Sequence, residues 1–255
     1  MAKTIELANL LEYLEEHDFV TSRLQPDSNR QFVRTWNNKP ILIKKYIEGN
    51  IIENIPAEVA GIIGRELGKL HQIKAPNFLS GSFNYAQDFF DEVKTYEPKS
   101  SFYQWLSEIK KYVNKYITDD LPKALIHSDI FFSNVIIRPN NKKVVIMDFE
   151  EACYYYRLFD IGMAIVGLCC QNGKPDMKKI SSFMNGYKEI IRLCSDELKA
   201  LQAFIVYASA AIAFWRHRQF RFIYPDTDLY EHYMPMKELA DHVKRLPNID
   251  FNQAL

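Results

Sequence analysis

The run His127-Ser128-Asp129-Ile130-Phe131-Phe132-Ser133-Asn134 sets an Asp and an Asn five residues apart, and a β-rich run, Val144-Val145-Ile146-Met147, leads into Asp148-Phe149-Glu150. Three such side chains suit phosphoryl transfer. One carboxylate, Asp129, takes the proton of an acceptor hydroxyl, while the amide of Asn134 and the carboxylate of Asp148 hold Mg²⁺ against the phosphates of a nucleotide. At this amino-acid composition a chance H-x-D-x4-N is expected about 0.02 times. The plain alternative is that Asp129 and Asn134 are turn residues, since both types favour loops. His127, at a strand end, reads as a brace that hydrogen-bonds the loop rather than as a titrating group.

The elements that must position these residues are legible around them. Residues 123–149 hold three short β-rich runs, KALIH, NVIIR and KVVIMDF, the last two separated by the turn Pro139-Asn140-Asn141. Upstream, apolar positions from Ile5 to Leu14 recur at helical spacing, so the chain opens with a helix that runs to about Asp18. Short β-forming runs at 22–26, 30–36 and 39–47 follow, punctuated by Asp27-Ser28 and Asn37-Asn38, and read as a small antiparallel sheet. Pro56 then opens an amphipathic helix with Val59, Ile62, Ile63, Leu67 and Leu70 on one stripe. Helical patterns close the chain near 159–170, 176–192, 196–218 and 229–244. No repeat or low-complexity linker interrupts them.

Lysine plus arginine and aspartate plus glutamate both number 32, so the formal charge is zero and no global field gathers nucleic acid or anionic membrane. No uninterrupted apolar run reaches the roughly 18 residues of a spanning helix, and the acidic, amphipathic N-terminus lacks the form of a signal peptide. The expectation is a cytoplasmic protein with no membrane and no nucleic-acid partner. Cys153, Cys169, Cys170 and Cys194 show no C-x-x-C spacing; Cys169 and Cys170 lie in an apolar run and read as small buried hydrophobes. Tyr154-Tyr155-Tyr156 reads as packing rather than as a stacking platform for bases.

H-x-D-x4-N followed by a strand and D-F resembles the arrangement of protein kinases. The 14-residue step from Asn134 to Asp148, the run Tyr156-Arg157-Leu158-Phe159-Asp160-Ile161-Gly162 and the upstream LGKLH resemble the aminoglycoside phosphotransferase, choline kinase and homoserine kinase superfamily. No A-P-E segment follows. Within that group ILIKKYIEG (41–49) and AAIAFWRHR (210–218) resemble bacterial type II homoserine kinases. The resemblance implies an α+β, protein-kinase-like fold, with a partial small lobe over 1–48 and a helical lobe over 49–255. It implies an ATP- and Mg²⁺-dependent phosphotransferase acting on the hydroxyl of a small metabolite, homoserine foremost. Asp129 would be the base, Asn134 and Asp148 the metal ligands, and Asp160 a brace for the catalytic loop, its plain alternative being a helix N-cap. The backbone of Lys45, Tyr46 and Ile47 would meet adenine, with Tyr46 and Ile47 also as apolar walls.

For an amino-acid substrate the resemblance offers Arg218, whose guanidinium can grip a carboxylate; Asp226, Asp228 and Glu231 could meet its ammonium. The competing reading makes Arg216, Arg218 and Arg221 a solvated helix face. The resemblance fails at the front. Family kinases carry a phosphate-covering turn and a strand Lys ahead of the first helix, whereas here Glu6 takes the place of the helical Glu and Lys3 is only three residues ahead. The expectation is a truncated small lobe, a partner that supplies the missing surface, or a non-catalytic binding or scaffolding protein with a kinase-like fold.

Overall fold

The computed structural model describes residues 1–139 and 143–247. Helix α1 (Ala2–Glu16) turns Leu7, Ala8, Leu10, Leu11 and Leu14 into the core. Strands β1 (Val33–Trp36) and β2 (Lys39–Leu42) form an antiparallel pair, and beyond it the chain around Leu24 bridges Lys44 in the same sense. The sheet expected here is therefore one ladder with a loop let into one strand, because Asp27 turns the chain by accepting from the N–H groups of Asn29 and Gln31.

Helix α2 (Ala57–Gln72) follows Pro56. The short helix α3 (Val93–Tyr96) and α4 (Ser101–Val113), capped by the Ser100 hydroxyl, make an insertion before the β region. There, β3 (Lys123–Ile126), β4 (Val135–Ile137), β5 (Val144–Ile146) and β6 (Cys153–Tyr156) form two antiparallel ladders, β4 with β5 and β3 with β6. Asn140 and Asn141 of the expected turn lie outside the described residues; the Arg138 N–H donates to the Lys143 carbonyl at 2.9 Å across that point. Tyr154-Tyr155-Tyr156 is strand β6, alternating exposed and buried, which reading those rings only as packing had not placed.

Helices α5 (Arg157–Leu168), α6 (Met177–Lys188), α7 (Ser195–Arg218) and α8 (Met234–Arg245) complete the chain, with the two-residue strands β7 (Cys170–Gln171) and β8 (Lys174–Pro175) between α5 and α6. Helix α7 is the axis: α4, α5 and α8 pack on it, and nearly every residue from Ala200 to Phe214 is buried. The segment 195–223 is long and apolar enough to cross a membrane by composition, contrary to the expectation from uninterrupted runs, but most of it is buried inside the protein as a core helix is.

Helices α2 and α6 cross at glycines. A Cβ at Gly64 would collide with the Phe183 carbonyl, and one at Gly186 with the Gly61 carbonyl. Both obstacles are backbone, so neither can rotate away. Gly64→Ala is expected to destabilise the fold by about 1–3 kcal/mol, as overpacking does, measured as a lower urea midpoint at unchanged slope; an unchanged midpoint would mean that the helices slide apart freely.

Candidate functional site

The two ladders are nested: β3 and β6 are the outer pair, β4 and β5 the inner. Both connections between inner and outer strands, 127–134 and 147–152, therefore leave the same end of the paired strands. That topology brings Asp129, Asn134 and Asp148 together. The Met147 N–H donates to the Asn134 carbonyl at 2.9 Å, so Asp148 begins where the ladder ends. Ser128 (φ 68°) and Asp148 (φ 71°) both hold left-handed backbone without being glycine, a strain of order 1–3 kcal/mol each that surrounding bonds must hold.

Those bonds are specific. Asp160, fully buried in the first turn of α5, accepts from the His127 N–H and the Ser128 N–H, each at 2.8 Å. His71 Nε2, from the last turn of α2, lies 3.1 Å from the same carboxylate, and His71 Nδ1 is 2.8 Å from the Tyr187 hydroxyl. The LGKLH run had been noticed in the sequence, but nothing in it marked His71 as a partner for a residue 89 positions away. The His127 Nδ1 accepts from the Asp129 N–H at 3.2 Å and its Nε2 donates to the Met147 carbonyl at 2.9 Å, tying one loop to the other and setting the ring proton on Nε2. The Ser128 hydroxyl donates to the Glu151 carbonyl, and the Tyr85 hydroxyl donates to the Ser128 carbonyl. Ser128, Tyr85 and Glu151 carried no signal in the sequence.

The Asn134 amide nitrogen donates to the Asp129 carbonyl at 2.8 Å and to Asp129 Oδ2 at 3.1 Å. Burial, then the like charges of Asp148 and Asp160, raise the Asp129 carboxyl above the usual aspartate range, against the opposing pull of His127 and Asn134. Asp148 is exposed, with no hydrogen-bond or ion-pair partner among the described residues. Asn134 Oδ1 and the Asp148 carboxylate thus present hard oxygen donors at one spot, which fits Mg²⁺. Among the described residues no cluster of three His, Cys, Asp or Glu side chains competes as a metal site.

Two adjacent cavities that share Lys3, Leu7, Glu150 and Glu151 border this loop. One, of about 380 Å³, is lined by Lys3, Lys44, Leu42, Glu150 and Glu151. The other, of about 280 Å³, adds Glu6, Phe83, Asn84, Phe89 and Phe149 to the shared Lys3, Glu150 and Glu151. Burial raises the Glu151 carboxyl, opposed by Lys3 and by the Asn84 amide that donates to it at 3.1 Å. In the run 41–49, which the resemblance sets at the hinge between the two lobes, the Lys45 N–H is taken by the Arg23 carbonyl at 2.8 Å, whereas the backbone of Tyr46 and Ile47 makes no backbone–backbone bond among the described residues. The Tyr46 ring is 89% exposed.

Arg218 is not on a solvated face. It is 8% exposed, donates to the Asn84 carbonyl (2.8 Å), Asn84 Oδ1 (3.2 Å) and Glu92 (2.9 Å), and stacks over Phe214, leaving its buried Nε without a partner. His217 is buried with it, and Arg221 pairs with Glu97 and Glu231. Arg218 turns inward because it lies on the same buried face of regular helix α7 as His217 and as Phe214, one turn before it, and meets Asn84 and Glu92 there. The π-helical turn over 219–223 only follows it. Asp226 caps the short turn at 227–229 and Glu231 is held by Arg221, so neither is free to meet an ammonium as expected.

Residues 6–176 match the phosphotransferase enzyme family. The homoserine kinase of Rhizobium meliloti (strain 1021) is 23% identical over 199 residues, covering 75% of this chain; the chain spans 61% of that relative's length. Two solved structures share the fold at 14% identity. They are an amicoumacin kinase in complex with AMP-PNP, Ca²⁺ and Ami (TM-score 0.73, 97% of this chain and 80% of that one) and a microcompartment-associated aminopropanol kinase (TM-score 0.72, 100% and 85%).

Proposed function

The chain belongs to the phosphotransferase enzyme family, and from that premise we propose that it transfers the γ-phosphoryl group of ATP to the hydroxyl of a small metabolite, with homoserine the first candidate. The observation that carries this reading is the convergence of Asp129, Asn134 and Asp148 at one end of nested ladders, with unpartnered oxygens on the latter two. Asp129 Oδ2 is held by Asn134, leaving Oδ1 to accept the proton of the acceptor hydroxyl as the new P–O bond forms and the bond to ADP breaks. Asn134 and Asp148 would hold Mg²⁺, which supplies charge neutralisation on the phosphate oxygens. Lys3 and Lys44 line the cavity beside Glu150 and Glu151 and offer the cationic side of the phosphate site. The backbone of Tyr46 and Ile47 is available to adenine.

The relatives matched in sequence are homoserine kinases and support a small-molecule kinase; homoserine as the acceptor is our reading. The 280 Å³ cavity supports its ammonium: Glu6, Glu150 and Glu151 stand with the rings of Phe83, Phe89 and Phe149, walls a cation favours, and outnumber Lys3, the one basic side chain in the lining. The guanidinium of Arg218 is already committed to Glu92 and Asn84, so it acts on this cavity through Asn84, which donates to Glu151. We place the work in the cytoplasm.

The test is calorimetry of ATP with and without Mg²⁺, followed by ³¹P NMR of ATP incubated with homoserine, choline or an aminoglycoside. Asp148→Ala is expected to remove the Mg²⁺-dependent part of ATP affinity, and homoserine to yield the phosphorylated product. Unchanged ATP·Mg²⁺ affinity in Asp148→Ala overturns the metal assignment; product from choline alone moves the acceptor elsewhere in the family. Mg²⁺-dependent ATP binding with no product from any hydroxyl would favour the non-catalytic alternative.

A further inference from the structure

Successive residues of a strand point to opposite faces. Lys44 lines the cavity beside Glu150 and Glu151, whereas Lys45 lines a different one, of about 750 Å³, on the reverse side of the hinge run. This reverse cavity lies between the hinge, the middle of α2 and the end of the β4–β5 hairpin, and none of Asp129, Asn134 and Asp148 lines it. Six of its lining side chains are basic, Arg23, Lys45, Arg65, Lys69, Arg138 and Lys143, against one acid, Glu66.

Three of the six are compensated. Arg65 forms a two-pronged bond to Glu189 at 2.7 and 2.8 Å, Lys69 pairs with Glu66 at 2.7 Å, and Arg23 pairs with Glu15 at 3.3 Å. Lys45, Arg138 and Lys143 have no side-chain hydrogen bond or ion pair among the described residues. They are also set against like charges by the backbone. Arg138 and Lys143 face each other across the hairpin, joined by the 2.9 Å bond, and Arg23 and Lys45 face each other across the 2.8 Å bond of the neighbouring ladder. Like charges opposed across a ladder destabilise it, so two such pairs around one concavity, in a chain of zero net charge, form a preorganised receptor for an anion. The remaining walls are the apolar Val20, Ile47, Ile62, Val144 and Val145 with the hydroxyl-bearing Thr21 and Tyr46, so the cavity shares Tyr46 and Ile47 with the run whose backbone is offered to adenine, and the volume falls in the range of sites for small organic ligands.

We propose that this reverse-hinge cavity binds a small phosphorylated metabolite bearing at least two negative charges, gripped by Lys45, Arg138 and Lys143. The ligand would tie the hinge to the β4–β5 hairpin and so set how the strand carrying Lys44 approaches the loop of Asp148. The inference goes beyond the phosphotransfer reading and does not rest on it.

The test is calorimetric titration of the whole chain with inorganic tripolyphosphate in the presence of EDTA, which removes the divalent metal that the Asn134–Asp148 site needs. One-to-one binding is expected, weakened at least about tenfold by the double variant Arg138→Gln with Lys143→Gln, given the usual strength of charged hydrogen bonds. Both positions are exposed at the hairpin end, so the fold is retained, and circular dichroism checks this. Lys44→Gln, on the opposite face, is expected to leave the affinity unchanged. Absence of binding at millimolar tripolyphosphate, equal affinity in the double variant, or loss in Lys44→Gln alone each overturns the proposal.

Discussion

Asp129→Asn is expected to lower phosphoryl transfer by about 10²–10⁴-fold, the usual contribution of a positioned general base, while leaving ATP·Mg²⁺ affinity essentially unchanged. The amide that replaces the carboxylate can still accept from Asn134 through its oxygen, so the loop geometry survives and only the proton acceptor is lost. The same variant is expected to be more heat-stable at neutral pH in the absence of metal. Burial and the charges of Asp148 and Asp160 hold the Asp129 carboxyl above its ordinary value, and a carboxyl raised on folding favours the native state only when protonated. That contribution is present below the unfolded pKa and is lost as pH rises through the folded one, so at pH 7 the ionised group is a net cost. Each kilocalorie recovered is worth on the order of 2–4 °C in a chain of this size. A rise in melting temperature that vanishes at acid pH, together with the loss in kcat, would be the signature of stability given up for chemistry. Equal turnover in variant and parent removes Asp129 from the role.

The largest loss of stability is expected from Asp160→Ala. Its carboxylate is fully buried and is the acceptor for two backbone N–H groups and His71 Nε2. Alanine leaves those donors without a partner in a site closed to water, and removal of one member of such a buried polar cluster costs about 3–5 kcal/mol. The melting temperature should fall by on the order of 10 °C. Activity should fall as well, because the left-handed Ser128 that aims Asp129 is held by the Asp160 bond to its N–H. Asp160→Asn is the informative companion: it keeps one acceptor and turns the other into a donor facing an N–H, so its loss should lie between parent and alanine. The helix N-cap, the plain alternative for Asp160, is instead Tyr156, with Asp160 inside the first turn. A cap would in any case lose only about 0.5–2 kcal/mol on change to alanine, so urea denaturation measures the brace. A loss of that small size would leave the brace assignment without support.

Residue spacing along the chain carried much of the site. The five-residue step from Asp129 to Asn134 and the hairpin that follows are local features, written in turn chemistry and β-propensity, and they were readable without a structure. So were helix α1, from its apolar stripe, and helix α7, from its long apolar pattern. The family resemblance rested on the same residues, and the match over residues 6–176 bears it out.

What tertiary structure alone decided is which distant groups meet. Nothing local indicates that β3 pairs with β6 rather than with β4, yet that nesting is what sets Asp148 beside Asn134. Nothing in LGKLH announces that His71 will reach Asp160, because a side-chain partner chosen by burial leaves no periodicity in either segment. Arg218 shows the same limit from the other side. Its neighbours in sequence are basic and suggested a solvated face, but it shares the buried face of α7 with Phe214 and His217 and is held there by the carboxylate of Glu92, 126 residues away. Local sequence determined the chemistry of the candidate triplet Asp129, Asn134 and Asp148 through backbone propensity and short spacing; packing of the helices and pairing of strands across long loops determined its geometry, since burial is a property of the whole chain and of no segment within it.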